Sequence, residues 1–180
     1  MKIGLIAVDG RSGFPNLALM RLSAWHKARS DSVEWWNGFT QYDRVYMSKV
    51  FTFTPDIDTV IRADEIITGG TGYRDYGSLP PEVEAMSPDY AIYPQFRRAL
   101  GFMTRGCCRR CAWCIVPRKE GTVRPAAAWD EIRRPDSREI IFLDNNVLAS
   151  EFGVEQIRRM GGRPVWVDFN QGLDARLITQ

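Results

Sequence analysis

The sequence predicts an α/β protein organised in two parts. Short apolar runs alternate along the chain with segments of helical period, the pattern of parallel strands with helices on the faces of a sheet. A proline-containing stretch with little periodicity interrupts this alternation near the middle. All four cysteines follow that interruption and fall within one eight-residue window. These observations predict a small parallel-sheet domain followed by a second β/α domain that carries a cysteine loop.

The first part is predicted to be a Rossmann-like N-terminal domain over residues 1–75. Its predicted strands are short apolar runs of the kind that a buried parallel sheet shows. Pro15 is placed to open the first helix, and a second, short helix is predicted over Ile57–Ala63. The predicted strands are Lys2–Val8, Val33–Trp36, Arg44–Ser48 and Glu65–Thr68, and the last is closed by the glycine-rich 69–72.

Residues 76–95 are predicted to be a linker lying over the surface, because four prolines and little periodicity mark the stretch. Residues 96–180 resume the β/α alternation, beginning with a strand that runs directly into the cysteines. The predicted elements of this part are the strand Ala99–Thr104, a helix near Ala126–Arg134, the strand Glu139–Leu143, the helix Glu151–Met160 and the strand Val165–Phe169.

The composition is that of an ordinary globular protein. The chain has 180 residues, of which 44% are hydrophobic and 26% charged, with a formal net charge of +2. Disordered and fibrous classes are therefore excluded, and the charge balance by itself does not indicate a nucleic-acid or membrane partner. No apolar run approaches the roughly 20 residues that span a bilayer, and the N-terminal residues do not form a secretory signal. We expect a cytoplasmic protein.

The cysteines have the spacing Cys107-x3-Cys111-x2-Cys114, with Cys108 as a fourth thiol. Such clustering cannot staple distant parts of a chain by disulfides, so a reduced, metal-binding site is the better explanation. Three thiolates on one loop can hold three irons of a cubane cluster and leave the fourth iron open to a substrate. Structural zinc is the alternative, although adjacent Cys107 and Cys108 would strain one tetrahedral site. A thiol redox motif leaves two cysteines unexplained.

The string TRGCCRRCAWCIVPRKEG, with an aromatic residue before the third cysteine, resembles the radical S-adenosylmethionine superfamily. The order of the two parts is similar to the subgroup in which a cobalamin-binding-type domain precedes the barrel, as in methylthiotransferases. The resemblance implies a [4Fe–4S] cluster held by Cys107, Cys111 and Cys114. It also implies S-adenosylmethionine as the second cofactor, a partial (β/α) barrel over 96–180, and a flavodoxin- or ferredoxin-type reductant as partner.

Further site residues carry over from the same resemblance. Trp113 is placed to pack against the adenine, although a packing residue is the commoner role of a lone tryptophan. Asp144, and after it Asn146, occupy the strand end where the family contacts the amino group of S-adenosylmethionine, and Asp144 can equally cap the following helix. The residues that can reach the ribose or the carboxylate are Asp168, Asn170 and Gln171.

Two departures from the family pattern limit what carries over. The cobalamin fingerprint Asp-x-His-x-x-Gly is absent, and the single histidine, His26, lies in the predicted first helix as a partly exposed residue, so cobalamin is not expected to have an axial histidine here. The family barrel has about six βα units, whereas three are visible here. The sequence therefore predicts the first half of a barrel.

The function predicted is [4Fe–4S]-dependent reductive cleavage of S-adenosylmethionine to start a radical reaction, with the substrate left open. A different class remains as the alternative: a non-catalytic iron–sulfur or zinc accessory module whose basic loop docks RNA. A catalytically inactive relative of such enzymes is the third hypothesis.

Overall fold

A computed structural model of the protein describes residues 1–10 and 14–178. The chain divides into two compact units, Met1–Phe96 and Arg97–Gln180. Among the described residues, no helix combines the length and the apolar character that crossing a membrane requires.

The first unit is built on a four-stranded parallel sheet with the strand order β2-β1-β3-β4. Its helix α1 follows β1 and contacts both β1 and β3. The elements are β1 (Lys2–Ala7), α1 (Leu17–Lys27), β2 (Ser32–Trp35), β3 (Tyr42–Ser48) and β4 (Ala63–Gly69). All four strands lie where the sequence predicts them, and the predicted parallel α/β sheet is confirmed.

Helix α1 begins two residues after Pro15, because the side chain of Asn16 caps it by accepting a hydrogen bond from the Leu19 N–H at 3.1 Å. Its apolar face is fully buried, with Leu19 and Met20 at 0% exposure. Burial of this face, rather than intrinsic propensity, provides most of the stability of a helix this short.

The helix predicted over Ile57–Ala63 is wrong. This stretch is extended coil, Ala63 already belongs to β4, and Ile57 and Ile61 pack against a buried cluster that includes Val45 and Met47. Two isoleucines four residues apart match a helical period, yet β-branched side chains disfavour a helix. Contact with the sheet partly buries both side chains while the chain stays in a coil conformation.

The stretch 76–95, predicted to be a surface linker, is packed into the first unit instead. It contains α2 (Pro81–Glu84) and a 3₁₀ turn at Tyr90–Ile92, and it buries Val83 and Tyr93 to 2% exposure. The Asp89 carboxylate accepts hydrogen bonds from α1 side chains. The apolar residues here are irregularly spaced, so periodicity does not reveal that they belong to a core.

The second unit contains a three-stranded parallel sheet with the order β5-β8-β9 and a short antiparallel pair, β6 with β7. Its elements are β5 (Ala99–Gly101), β6 (Thr104–Arg105), α3 (Val116–Lys119), β7 (Arg124–Pro125), α4 (Trp129–Ile132), β8 (Glu139–Phe142), α5 (Glu151–Met160) and β9 (Trp166–Phe169). The strand predicted over Ala99–Thr104 is divided into β5 and β6, and the helix predicted near Ala126–Arg134 is reduced to the single turn α4.

One face of this sheet is covered by α4 and α5. The buried cluster between them includes Met103, Trp129, Ile140 and Phe142, each at most 5% exposed. The parallel β/α arrangement agrees with the sequence-based expectation, and the barrel stays a prediction.

Candidate metal centre and cofactor site

Three loops meet at the carboxyl edge of the β5-β8-β9 sheet. The cysteine loop follows β5, the segment 143–146 follows β8, and the segment ending at Asp174 follows β9. Because parallel strands point their carboxyl ends to the same edge, residues far apart in sequence converge here. Asn146 donates to Cys107 Sγ at 3.5 Å and to Asp174 Oδ2 at 3.5 Å, so one amide contacts both other loops.

The base of the cysteine loop is closed by the β6–β7 pair, in which Arg105 lies opposite Arg124. Gly106 follows with a φ of 83°, a left-handed conformation that favours glycine. A Cβ at this position would lie 2.3 Å from the Thr122 carbonyl oxygen. The Cys107 N–H then donates to the Gly121 carbonyl at 3.2 Å. Glycine therefore lets the two arms of the loop approach at the point where the first cysteine begins.

Glu120 fixes this loop to its neighbours. Its carboxylate accepts hydrogen bonds from the Gly106 N–H at 2.9 Å, from Asn145 Nδ2 at 2.9 Å and from Arg105 at 3.3 Å. The sequence gives no sign of this role, since the position of Glu120 at the end of α3 has no diagnostic spacing. Its role is to hold the cysteine loop against the end of β8.

All four cysteines are free thiols. Cys107, Cys111 and Cys114 are half-buried, whereas Cys108 is exposed. Cys111 and Cys114 are joined by a tight turn in which the Cys114 N–H donates to the Cys111 carbonyl at 3.0 Å. Within residues 1–10 and 14–178, no three side chains of the Cys, His, Asp and Glu type are already gathered as a metal site.

Asn146, the second choice for an S-adenosylmethionine contact, is the predicted residue that lies on the cysteines. It is 3% exposed, and its Nδ2 lies 3.5 Å from Cys107 Sγ and 3.7 Å from Cys108 Sγ. Its Oδ1 is buried, with no hydrogen-bond partner in the described part of the chain. A buried carbonyl oxygen without a donor is costly and marks a place where a ligand donor would be stabilised.

Asp174, which the sequence analysis missed, organises the positive charge beside the thiols. It accepts from Arg109 Nε at 2.8 Å and from Arg176 Nε at 2.7 Å. These hydrogen bonds, that from Arg176 first, lower the pKa of Asp174. Asp174 in turn raises the pKa of Arg176, and the nearby Cys111 and Cys108 add to this. The available signal was that Asp174 follows β9 as Asn146 follows β8.

Asp144, the first choice for the same contact, is 2% exposed. Its carboxylate accepts from the Met103 N–H at 3.1 Å, from the Thr104 N–H at 2.5 Å and from Thr104 Oγ1 at 2.7 Å. Burial raises the pKa of Asp144 despite these bonds. In this structure the residue ties the end of β8 to the turn between β5 and β6.

The remaining predicted residues are not brought together at the cysteines. Trp113 is 88% exposed. Asp168 lies within β9 and pairs with Arg98 at 3.7 Å. Asn170 and Gln171 are exposed at the carboxyl end of β9, on the side of the sheet edge where the cysteine loop also lies.

The chemistry of the loop fits an iron–sulfur cluster. Three free thiols are spaced within one loop, and soft thiolate ligands suit such clusters. The Asn146 amide supplies a hydrogen bond to Cys107 Sγ, as groups around metal centres commonly do for a ligand. Cys107, Cys111 and Cys114 are the residues that would hold the cluster, and binding would draw their side chains together.

In the first unit, the single histidine is not partly exposed as predicted. His26 is 1% exposed, with Nδ1 2.6 Å from Asp31 Oδ2 and Nε2 3.0 Å from the Tyr46 hydroxyl. Both ring nitrogens are thus occupied inside the unit, because α1 turns this residue toward β3 rather than toward solvent.

Gly70 and Gly72 pack on the backbone of Lys49, where a Cβ would lie within 3.0 Å of Lys49 atoms. The glycines after β4 therefore have a packing role.

No family model, curated protein or solved structure matches this chain. The functional assignment consequently depends on the residues of the loop and on the geometry around them.

Proposed function

We propose that this protein binds a [4Fe–4S] cluster through Cys107, Cys111 and Cys114 and uses it to cleave S-adenosylmethionine reductively, which starts a radical reaction. The observation that carries the proposal is the position of the C-x3-C-x2-C loop at the carboxyl edge of a parallel sheet, where Asn146 donates to the first cysteine sulfur. When bound, the cluster supplies the electron for sulfonium cleavage, drawn from a flavodoxin- or ferredoxin-type reductant.

The residues around the loop support this chemistry in distinct ways. Asn146 holds Cys107 and, through Asp174, connects the loop to the end of β9. Its unpartnered Oδ1 suits a donor such as the ammonium group of S-adenosylmethionine. Asn170 and Gln171, exposed beyond β9, are the neutral polar groups available to a ribose or carboxylate.

Positive charge next to the loop is moderated by acidic partners. Arg105 lies 3.6 Å from the centre of the Phe102 ring and pairs with Glu120 at 3.3 Å, and Arg109 pairs with Asp174 at 2.8 Å. A cluster with its thiolates carries net negative charge, so the guanidinium groups favour its reduced form. The paired carboxylates weaken this effect and hold the guanidinium groups in place.

The first experiment is anaerobic reconstitution with iron and sulfide, followed by electron paramagnetic resonance of the reduced protein with and without S-adenosylmethionine. We expect a [4Fe–4S] signal that changes when S-adenosylmethionine is added, and formation of 5′-deoxyadenosine. C107S, C111S and C114S each should lose the cluster. C108S is the matched control and should keep it, because Cys108 lies outside the C-x3-C-x2-C spacing.

Two results would contradict the proposal. Binding of zinc without iron would indicate a structural metal site. If all four thiols then bind the zinc, C108S should lose the metal as the other three variants do. A cluster whose spectrum does not change when S-adenosylmethionine is added would favour an accessory module without catalysis.

A further inference from the structure

A cleft rich in arginine lies at the opposite edge of the same sheet. It has a volume of about 590 Å³, and four arginines line it together with Trp129, Asp130, Pro164 and Val165. The four are Arg133, Arg138, Arg159 and Arg163. Arg138 directly precedes β8, and Arg163 lies three residues before β9. The cleft is therefore at the amino ends of the strands, whereas the cysteine loop is at their carboxyl ends.

The positive charge of this cleft is mostly uncompensated. Asp130 is its one acidic lining residue and pairs with Arg159 at 3.4 Å. In the part of the chain that the structure describes, no carboxylate lies within 4.0 Å of Arg133, Arg138 or Arg163. Several other arginines of the second unit do have carboxylate partners: Arg98 with Asp168, Arg105 with Glu120, Arg109 with Asp174, Arg134 with Asp136 and Arg158 with Glu155.

The wall of the cleft is held by buried groups. Gln156, 3% exposed, accepts from the Trp129 N–H at 3.2 Å and from Arg159 at 3.3 Å. Arg133 lies 5.4 Å from the centre of the Trp129 ring. Trp129 is 5% exposed, and its Nε1–H has no acceptor in the described residues. Two of the four guanidinium groups are thus positioned by the protein, and a buried donor beside them lacks an acceptor.

We propose that this cleft binds a ligand with clustered phosphate groups. Guanidinium groups that line one cleft repel one another, and an anion that accepts from several of them offsets that repulsion. Among the basic residues of 97–180 only Lys119 is a lysine, and arginine is the residue that binds phosphate oxygens in pairs. The phosphates can belong to a nucleoside polyphosphate or to the backbone of single-stranded RNA.

The test uses the full chain and three probes: pyrophosphate and ATP by calorimetry, and a fluorescein-labelled single-stranded RNA by anisotropy at about 50 and about 200 mM salt. We expect R138Q and R163Q each to lower affinity about tenfold, because each removes a charge-assisted contact. For RNA, each variant should also reduce the slope of log K against log salt by about 0.7.

R158Q is the matched control. Arg158 lies on α5 outside the cleft lining, is 74% exposed and already pairs with Glu155, so its loss should change affinity by less than about twofold. Binding of pyrophosphate and ATP alone identifies a nucleotide site, and RNA binding displaced by pyrophosphate identifies a backbone site; both support the proposal. Failure of every probe to bind at the lower salt, or an equal loss in R158Q, overturns it. These binding measurements do not depend on assembly of the iron–sulfur cluster, so their outcome is independent of the proposed function.

Discussion

Replacing Asp144 with alanine should destabilise the second unit at the point where the cysteine loop begins. The buried carboxylate is the acceptor for the Met103 and Thr104 N–H groups, and D144A leaves both donors without it. A buried donor left unsatisfied costs about 1 to 3 kcal/mol. Part of this cost is offset, because burial already disfavours the ionised carboxylate and raises the pKa of Asp144. We expect a net loss of about 3 kcal/mol in the free energy of unfolding.

The assay is urea unfolding of the metal-free protein, together with amide hydrogen exchange at Met103 and Thr104. The two amides should lose protection in D144A, which localises the effect to the second unit. D168A is the control, since Asp168 is half-exposed and its ion pair with Arg98 is 3.7 Å long. A D144A protein within about 0.5 kcal/mol of the parent, with both amides still protected, would refute the structural role given to this carboxylate.

Asp144 also predicts a dependence of stability on pH. Its pKa in the folded protein is above the ordinary value of 3.8, so the folded chain binds the proton more readily than the unfolded chain. The free energy of unfolding should therefore fall as the pH rises from 3.8 through the folded-state pKa. D144A should lack this decline, and a decline of unchanged size in D144A would assign it to another group.

Three further changes have defined outcomes. G153A should lose about 2 kcal/mol in urea unfolding, since a Cβ there would lie 2.4 Å from the Val147 carbonyl oxygen; G38A, with no close neighbour, should be neutral. Burial lowers the pKa of His26 from 6.5 despite the nearby Asp31, so stability should fall as the pH drops below 6.5, and H26Q should lose this dependence. In the reconstituted protein, N146L removes the hydrogen bond to Cys107 Sγ and should lower the reduction potential of the cluster by about 40 mV, the equivalent of about 1 kcal/mol for one electron. An unchanged potential in a redox titration would show that Asn146 does not contact the cluster ligands.

Parallel strands are the part of the fold that the sequence predicted best. The apolar runs at β1, β3 and β8 can be recognised in the sequence because buried strands need several consecutive apolar residues. The helix predicted over Ile57–Ala63 was wrong. Two isoleucines four residues apart can pack against a sheet from a helix or from a coil, so their spacing does not distinguish the two. The core residues of 76–95 were missed because their spacing follows no period.

The sequence by itself determined the donor set of the proposed cluster: four thiols in one loop, three of them with the C-x3-C-x2-C spacing. Local chain chemistry was sufficient for that, because all the ligands come from eight residues. Only the tertiary structure placed the Asp144 carboxylate on the Met103 and Thr104 N–H groups and the Asn146 amide on Cys107 Sγ. It also brought Asp174 to Arg109, whose N–H lies on Cys107 Sγ, and gathered the arginines at the amino ends of the strands. The hydrogen bonds of Asp144 and Asn146 join residues that are 28 or more positions apart, and the strand order that brings such residues together cannot be inferred from any local sequence pattern.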